Sequence, residues 1–267
     1  MTRRQQQNAA QWLVVSLGCY WLMVLCLTSA QAESLVSAIS SPSVSITSNF
    51  TGTDILVFGE VNRDKASVPR VGKHELVVVV EGPKERVVTW RKERILGLWI
   101  NANSRTYTNV PSFYAVHTSG PLSDIGTEET LKQQRIGLQN LPLAPIYEKG
   151  QDVSERQLFK SALIRKKQEA DLYAQREGAI TFLSPTLFST TVPLPSNIAV
   201  GEYTITTYLY HGSALLTSQT QHLHVAKTGF EQHTYALAHE KPLLYGLVAV
   251  LLALFTGWLA GMIFRKD

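Results

Sequence analysis

The chain has 267 residues, enough for two domains at most, and 45% of them are hydrophobic against 17% charged, a balance that excludes intrinsic disorder. Its formal charge is +4, but residues 33–241 carry 21 basic and 20 acidic side chains, so the middle has no basic bias and no nucleic-acid partner is expected. The excess apolarity sits at the two ends.

Residues 1–11 are polar and carry Arg3-Arg4, residues 12–27 are almost unbroken apolar, and Ala30-Gln31-Ala32 offers small residues around a cleavage point. This order predicts a secretory signal peptide over 1–32, cut between Ala32 and Glu33. The apolar run is shorter than the roughly 20 residues a spanning helix requires. A retained anchor is the alternative. Cys19 and Cys26 both lie in that run, so the exported part offers no disulfide, thiolate metal site or thiol nucleophile.

From residue 44 onward, β-branched runs punctuated by turn residues predict strands at 44–47, 54–58, 76–80, 87–90 and 95–100, and a later set at 179–183, 187–192, 203–210 and 215–225. The run 76–80 is apolar on both faces, as a central strand is. Gly212-Ser213 predicts a type II′ hairpin that puts Leu209 opposite Leu216 and Tyr203 opposite His222. Leu223 and Val225 then fall on the face away from Leu216, which calls for a bulge near 219–221. Tyr203, after Gly201-Glu202, resembles the tyrosine that locks a corner in Ig-like domains.

Between the two sets lie helical patterns. Residues 127–135 open with Thr127-Glu128-Glu129, acidic where a helix dipole is positive, and residues 152–175 place Leu158, Phe159, Ala162, Leu163, Ala170 and Tyr173 on one stripe. The expected fold is therefore mainly β: an antiparallel Ig-like β-sandwich over 33–226 with a helical insertion at about 127–175. A juxtamembrane segment over 227–241 leads to residues 242–264, which carry no charge and, at 1.5 Å per residue, form a helix of about 34 Å that crosses a bilayer. Arg265 and Lys266 in the 265–267 stub then mark the cytoplasmic side, which puts the β-rich domain outside. Gly257 and Gly261, four residues apart, are the candidate helix–helix contact.

No short pattern of a serine-hydrolase elbow, a zinc-protease helix, a phosphate loop or a dinucleotide turn occurs in the chain. No catalytic residue, cofactor or metal is expected, and the chain is read as not an enzyme. His222 and His224 share a strand face, but a third ligand is not visible. Arg86, Arg91, Lys92 and Arg94, beside Trp90 and Trp99, make a candidate oxyanion patch, since guanidinium forks suit such groups. Solvent-facing residues of a strand and turn are the plainer reading.

Several stretches recur as an ordered series: Ile46-Thr47-Ser48-Asn49-Phe50-Thr51-Gly52-Thr53-Asp54 before Val57-Phe58-Gly59, Arg91-Lys92-Glu93-Arg94 before Gly97-Leu98-Trp99-Ile100-Asn101, Val110-Pro111-Ser112-Phe113-Tyr114, Val200-Gly201-Glu202-Tyr203, and Lys227-Thr228-Gly229-Phe230-Glu231 before Pro242-Leu243-Leu244-Tyr245-Gly246. The series resembles the alphaproteobacterial putative transmembrane protein family. The resemblance implies a single-pass inner-membrane protein with a periplasmic domain, from genes that neighbour sulfite-exporter-like (TauE/SafE) permeases, and it carries over no catalytic residue. The expected role is a membrane-anchored periplasmic accessory protein of a permease or other envelope complex, with sulfite or organosulfonate export as the process served. The alternatives are a periplasmic small-anion-binding module and, third, an envelope hydrolase.

Overall fold

The computed structural model describes residues 34–62, 73–143, 145, 153–228 and 237–263. The predicted signal segment and its cleavage point, the 265–267 stub, and most of the residues between the last strand and the C-terminal helix lie outside the described residues.

Strict alternation of buried and exposed residues builds the first sheet. Along β3 (Gly52–Asn62), Ile55, Val57, Gly59 and Val61 point inward, and β10 (Leu187–Pro195) answers with Phe188, Thr190, Val192 and Leu194. With β1 (Ser34–Ile39) and β9 (Thr181–Phe182) they form the antiparallel order β1-β3-β10-β9. Gly59 is obligatory, because a Cβ there would run into the Val36 carbonyl and come within 2.8 Å of the Phe188 ring.

The second sheet has six strands in the order β2-β12-β11-β4-β7-β8, from β2 (Ser43–Ile46), β4 (His74–Glu81), β7 (Tyr114–Thr118), β8 (Tyr173–Arg176), β11 (Gly201–His211) and β12 (Ala214–Lys227). Its edge strands β2 and β8 pair in parallel with their neighbours, so the wholly antiparallel arrangement expected from the strand spacing is corrected. The fold is mainly β, and one sheet curls into a half-barrel, which does not establish the Ig-like sandwich. A separate two-stranded ribbon joins β5 (Lys84–Ile95) to β6 (Leu98–Pro111).

Strand β4 is covered on both faces, as its unbroken apolar run predicts. Leu76, Val78 and Val80 pack between the sheets with Val57, Phe188 and Leu223. Val77 and Val79 pack instead with Tyr107, Tyr114, Phe159 and Leu163, under a layer of helices. That layer holds α1 (Leu122–Ile125), α2 (Glu128–Gln133) and α3 (Val153–Glu169). Thr127 caps α2, its hydroxyl accepting from the Thr130 N–H, so the acidic start read from sequence is a true N-terminus.

The predicted 152–175 helix is too long. Asp171 adopts a left-handed φ of 58° after α3 ends at Glu169, and Tyr173 lies in β8, where its hydroxyl donates to the Pro111 carbonyl at 2.7 Å. Leu158, placed on the apolar stripe, is exposed.

The β11–β12 hairpin also departs from expectation. Gly212 and Ser213 both have positive φ, which is type I′ geometry, and the extra residue of the bulge is Leu216, directly after the turn. Tyr203 therefore faces Leu223 and Leu209 faces Thr217. Gln219 and Gln221 reach across to the open edge of β1, Gln219 accepting from the Ser37 N–H and Gln221 donating to the Ser37 carbonyl. Two side chains thus take the place of a strand neighbour there. The Tyr203 hydroxyl donates to the Ala199 carbonyl at 2.8 Å, the corner contact that its sequence setting suggests.

Helix α4 (Pro242–Ile263) is 22 residues long, buries no side chain, and is the one helix among the described residues long and apolar enough to cross a membrane.

Candidate functional site: the projecting ribbon and the cleft

The ribbon has two unlike faces because its strands alternate. On β5, Glu85, Val87, Thr89, Arg91 and Glu93 are half-buried, while Arg86, Val88, Trp90, Lys92 and Arg94 are exposed. The half-buried face meets α3, where Glu85 accepts from Lys167 and Glu155 binds two arginines at once. Arg105 reaches Glu155 at 2.9 Å and lays its guanidinium 4.9 Å from the centre of the Phe159 ring. Arg91 donates to Glu93 at 2.6 and 3.0 Å and to Glu155 at 3.4 Å, and Glu93 accepts also from Asn103. The Glu93 hydrogen bond, with the charge of Glu155 behind it, raises the Arg91 pKa further and holds the group cationic.

The four residues of the expected oxyanion patch are therefore not brought to one point. Arg91 turns to α3 and is occupied by two carboxylates, whereas Arg86, Lys92 and Arg94 project from the opposite face. The stretch 95–100, expected to be one strand, straddles the tip of the hairpin: β5 ends at Ile95, Leu96 and Gly97 turn with φ of 51° and 84°, and β6 starts at Leu98. The tip is apolar and uncovered, with Leu96 98% exposed, Leu98 70% and Trp99 68%. No sequence argument singled out this feature, although six consecutive residues with glycine as the sole non-apolar member carry it.

A cleft of about 440 Å³ opens where β8 and the loop before it diverge from the first sheet. Phe113, Ala115 and His117 form its floor, Arg176 and Asp171 one side, and Asp54 and the Pro193–Leu194–Pro195 end of β10 the other. His117 is buried between the sheets and pairs through Nδ1 with the Thr190 hydroxyl at 2.8 Å. Burial first, and the Arg176 charge second, push its pKa down to about 4. The cleft brings one guanidinium together with two carboxylates, a mixed field without preference for an anion.

His222 pairs with Glu202 at 3.0 Å on an exposed strand, and no group of three or more metal-ligating side chains occurs among the described residues. At Gly257 and Gly261 a Cβ would meet nothing within 4 Å, so that face of α4 is open. The sequence profile of the alphaproteobacterial family described as "Putative transmembrane protein" matches residues 34–266, and the chain belongs to that family. It is a membrane-protein family, and the chain contributes one candidate transmembrane helix near its C-terminus. No curated protein matches the chain.

Proposed function

We propose that the chain is a membrane-anchored periplasmic accessory protein that works beside a permease or another envelope complex of the inner membrane and is not itself an enzyme. The observation that carries this reading is the division of the molecule into one uncovered apolar helix, α4, and a separately cored β-rich domain. A single helix satisfies its own backbone but encloses no path for a solute, so any transport in which the protein takes part runs through other chains. The open Gly257 and Gly261 face allows a neighbouring helix to approach closely. Arg265 and Lys266 favour a cytoplasmic C-terminus and hence a periplasmic β domain. A sulfite-exporter-like (TauE/SafE) permease, with sulfite or organosulfonate as its cargo, is the partner suggested by the family resemblance.

The anion-binding alternative is less well supported, since Arg91 is occupied by Glu93 and Glu155 and the cleft sets Arg176 against Asp54 and Asp171. The test is crosslinking of the full-length protein in its own membrane, followed by identification of what is attached. A permease or envelope complex in the adduct is the expected result. Recovery of the protein alone, with sulfur-anion export unchanged on deletion, refutes the reading.

A further inference from the structure

We propose that the tip of the β5–β6 hairpin seats in the headgroup region of a bilayer containing anionic phospholipid, as a second membrane contact of the β domain besides α4. The first ground is the distribution of apolar surface. Cross-strand pairing sets Ile95 opposite Leu98 on one side of the ribbon and Arg94 opposite Trp99 on the other, with Leu96 at the apex. Apolar side chains therefore surround the tip. A flat protein surface covers one side of such a tip and leaves the rest in water, whereas a fluid phase covers all of it.

The second ground is strain. Leu96 holds a left-handed φ of 51° in a turn whose first central position is cheapest for asparagine, aspartate or glycine. Leucine there forgoes local stability and is 98% exposed to water, two costs that immersion of the apex would offset in part.

The third ground is charge. Residues 84–111 hold six cations and two carboxylates, and both carboxylates, Glu85 and Glu93, are already engaged by Lys167 and Arg91. Lys92 and Arg94 stand directly behind the apolar tip on the exposed face, at the level where lipid phosphates would lie. Trp99 at the tip and Trp90 behind it have the amphipathic rings that settle at membrane interfaces.

The geometry also sets the depth. From Arg94 to the apex at Leu96 is two residues, about 7 Å at the strand rise, which lies within the depth of interfacial insertion. Deeper entry is opposed because the outer edges of a two-stranded ribbon carry unpaired N–H and C=O groups that hydrocarbon cannot satisfy. Because α4 keeps the domain at the membrane surface, a contact too weak to recruit a soluble protein is sufficient to orient this one.

The test uses the full-length chain in nanodiscs, with Leu96→Cys carrying a fluorophore on a Cys19→Ala, Cys26→Ala background and Ser218→Cys as the control position. Lipids brominated on the acyl chain near the headgroup should quench the label at position 96 and leave the one at 218 unaffected. Replacing phosphatidylglycerol by phosphatidylcholine should lower the ratio of seated to unseated tip roughly thirty-fold, about five-fold for each of Lys92 and Arg94. Lys92→Glu with Arg94→Glu should abolish that lipid preference, and Leu98→Asp with Trp99→Asp the quenching itself. A label at 96 as open to water as the one at 218 overturns the proposal. So does a label at 96 that is shielded but unquenched, since that outcome means a protein, whether a second copy or a partner, covers the tip.

Discussion

Replacing His117 by glutamine should remove a defined part of the acid sensitivity of the fold. Thr190 donates its hydroxyl proton to the Ala179 carbonyl at 2.9 Å, so toward His117 it accepts, and the imidazole proton sits on Nδ1. The other nitrogen, Nε2, is buried with no partner. A second proton there would lack an acceptor and would lie beside Arg176, which is why the pKa falls to about 4 in the folded protein against about 6.5 in the unfolded chain. Between those values the unfolded state binds more protons, so the stabilisation is fully present above pH 6.5, declines as pH falls toward 4, and is flat below. The loss from pH 7.5 to pH 5 is about 2 kcal/mol, and about 3 kcal/mol once both states are protonated. Glutamine can donate to Thr190 in the same way and does not titrate. His117→Gln lowers stability at pH 7.5, and its disadvantage should then shrink by about 2 kcal/mol at pH 5. All other side chains are common to the two proteins, so their contributions cancel in the difference. Urea unfolding of the full chain in detergent micelles at the two pH values measures this gap. Parallel pH dependences for the two proteins would refute the reasoning.

Two further substitutions probe how the ribbon and the first sheet are held. Gly59→Ala forces a methyl group into the Val36 carbonyl and the Phe188 ring, so urea midpoints should report a loss of about 2 kcal/mol, and a change under about 0.5 kcal/mol would mean that β1 yields easily. Glu155→Ala leaves Arg105 and Arg91 without their shared carboxylate; because Glu155 is about one-third exposed the loss is held to about 1 kcal/mol, and amide exchange should accelerate in β5 and β6. A double-mutant cycle of Glu155→Ala with Arg105→Ala that gives no coupling would show the bridge to be ornamental.

The parts of the fold legible in sequence are those where one periodicity acts alone. Residues 76–80 read as a central strand because every position is apolar, and β4 is indeed buried on both faces. The helix start at 127–129 was legible from its acidic residues, and the C-terminal helix from its uncharged apolar run, of which Pro242–Ile263 is helical. Strand β8 was hidden because Ala170 and Tyr173 continue the helical stripe of α3, while the chain leaves the helix at Asp171 without a glycine to announce it. Strand β6 was caught only at its start, 98–100, because Asn101, Asn103, Ser104 and Asn109 break the apolar pattern beyond it, although β5 pairs with it across a two-residue turn. In β12 the assumed register set Leu223 and Val225 on the face away from Leu216, which called for a bulge near Gln219 to Gln221. The bulge lies at Leu216 instead, and the glutamines face inward because the edge of β1 gives them backbone partners.

The candidate site shows a different limit. Arg86, Arg91, Lys92 and Arg94 are close in sequence, but on a strand nearness is divided by parity, and the odd-numbered member goes to the helix while the even-numbered ones stay in solvent. That division was available from the sequence once 84–95 was known to be a single strand. The tip was not, because an apolar run ordinarily means burial, and Ile95-Leu96-Gly97-Leu98-Trp99-Ile100 satisfies the pattern of an interior strand in every respect except its glycine. The fold instead spends these side chains at the far end of a ribbon, on a turn that leucine disfavours. Local preference and observed structure thus conflict at this apex, and such conflicts persist where something outside the folded domain rewards them. The lipid surface that α4 keeps within reach has the apolar depth to receive the tip and the charge to hold Lys92 and Arg94.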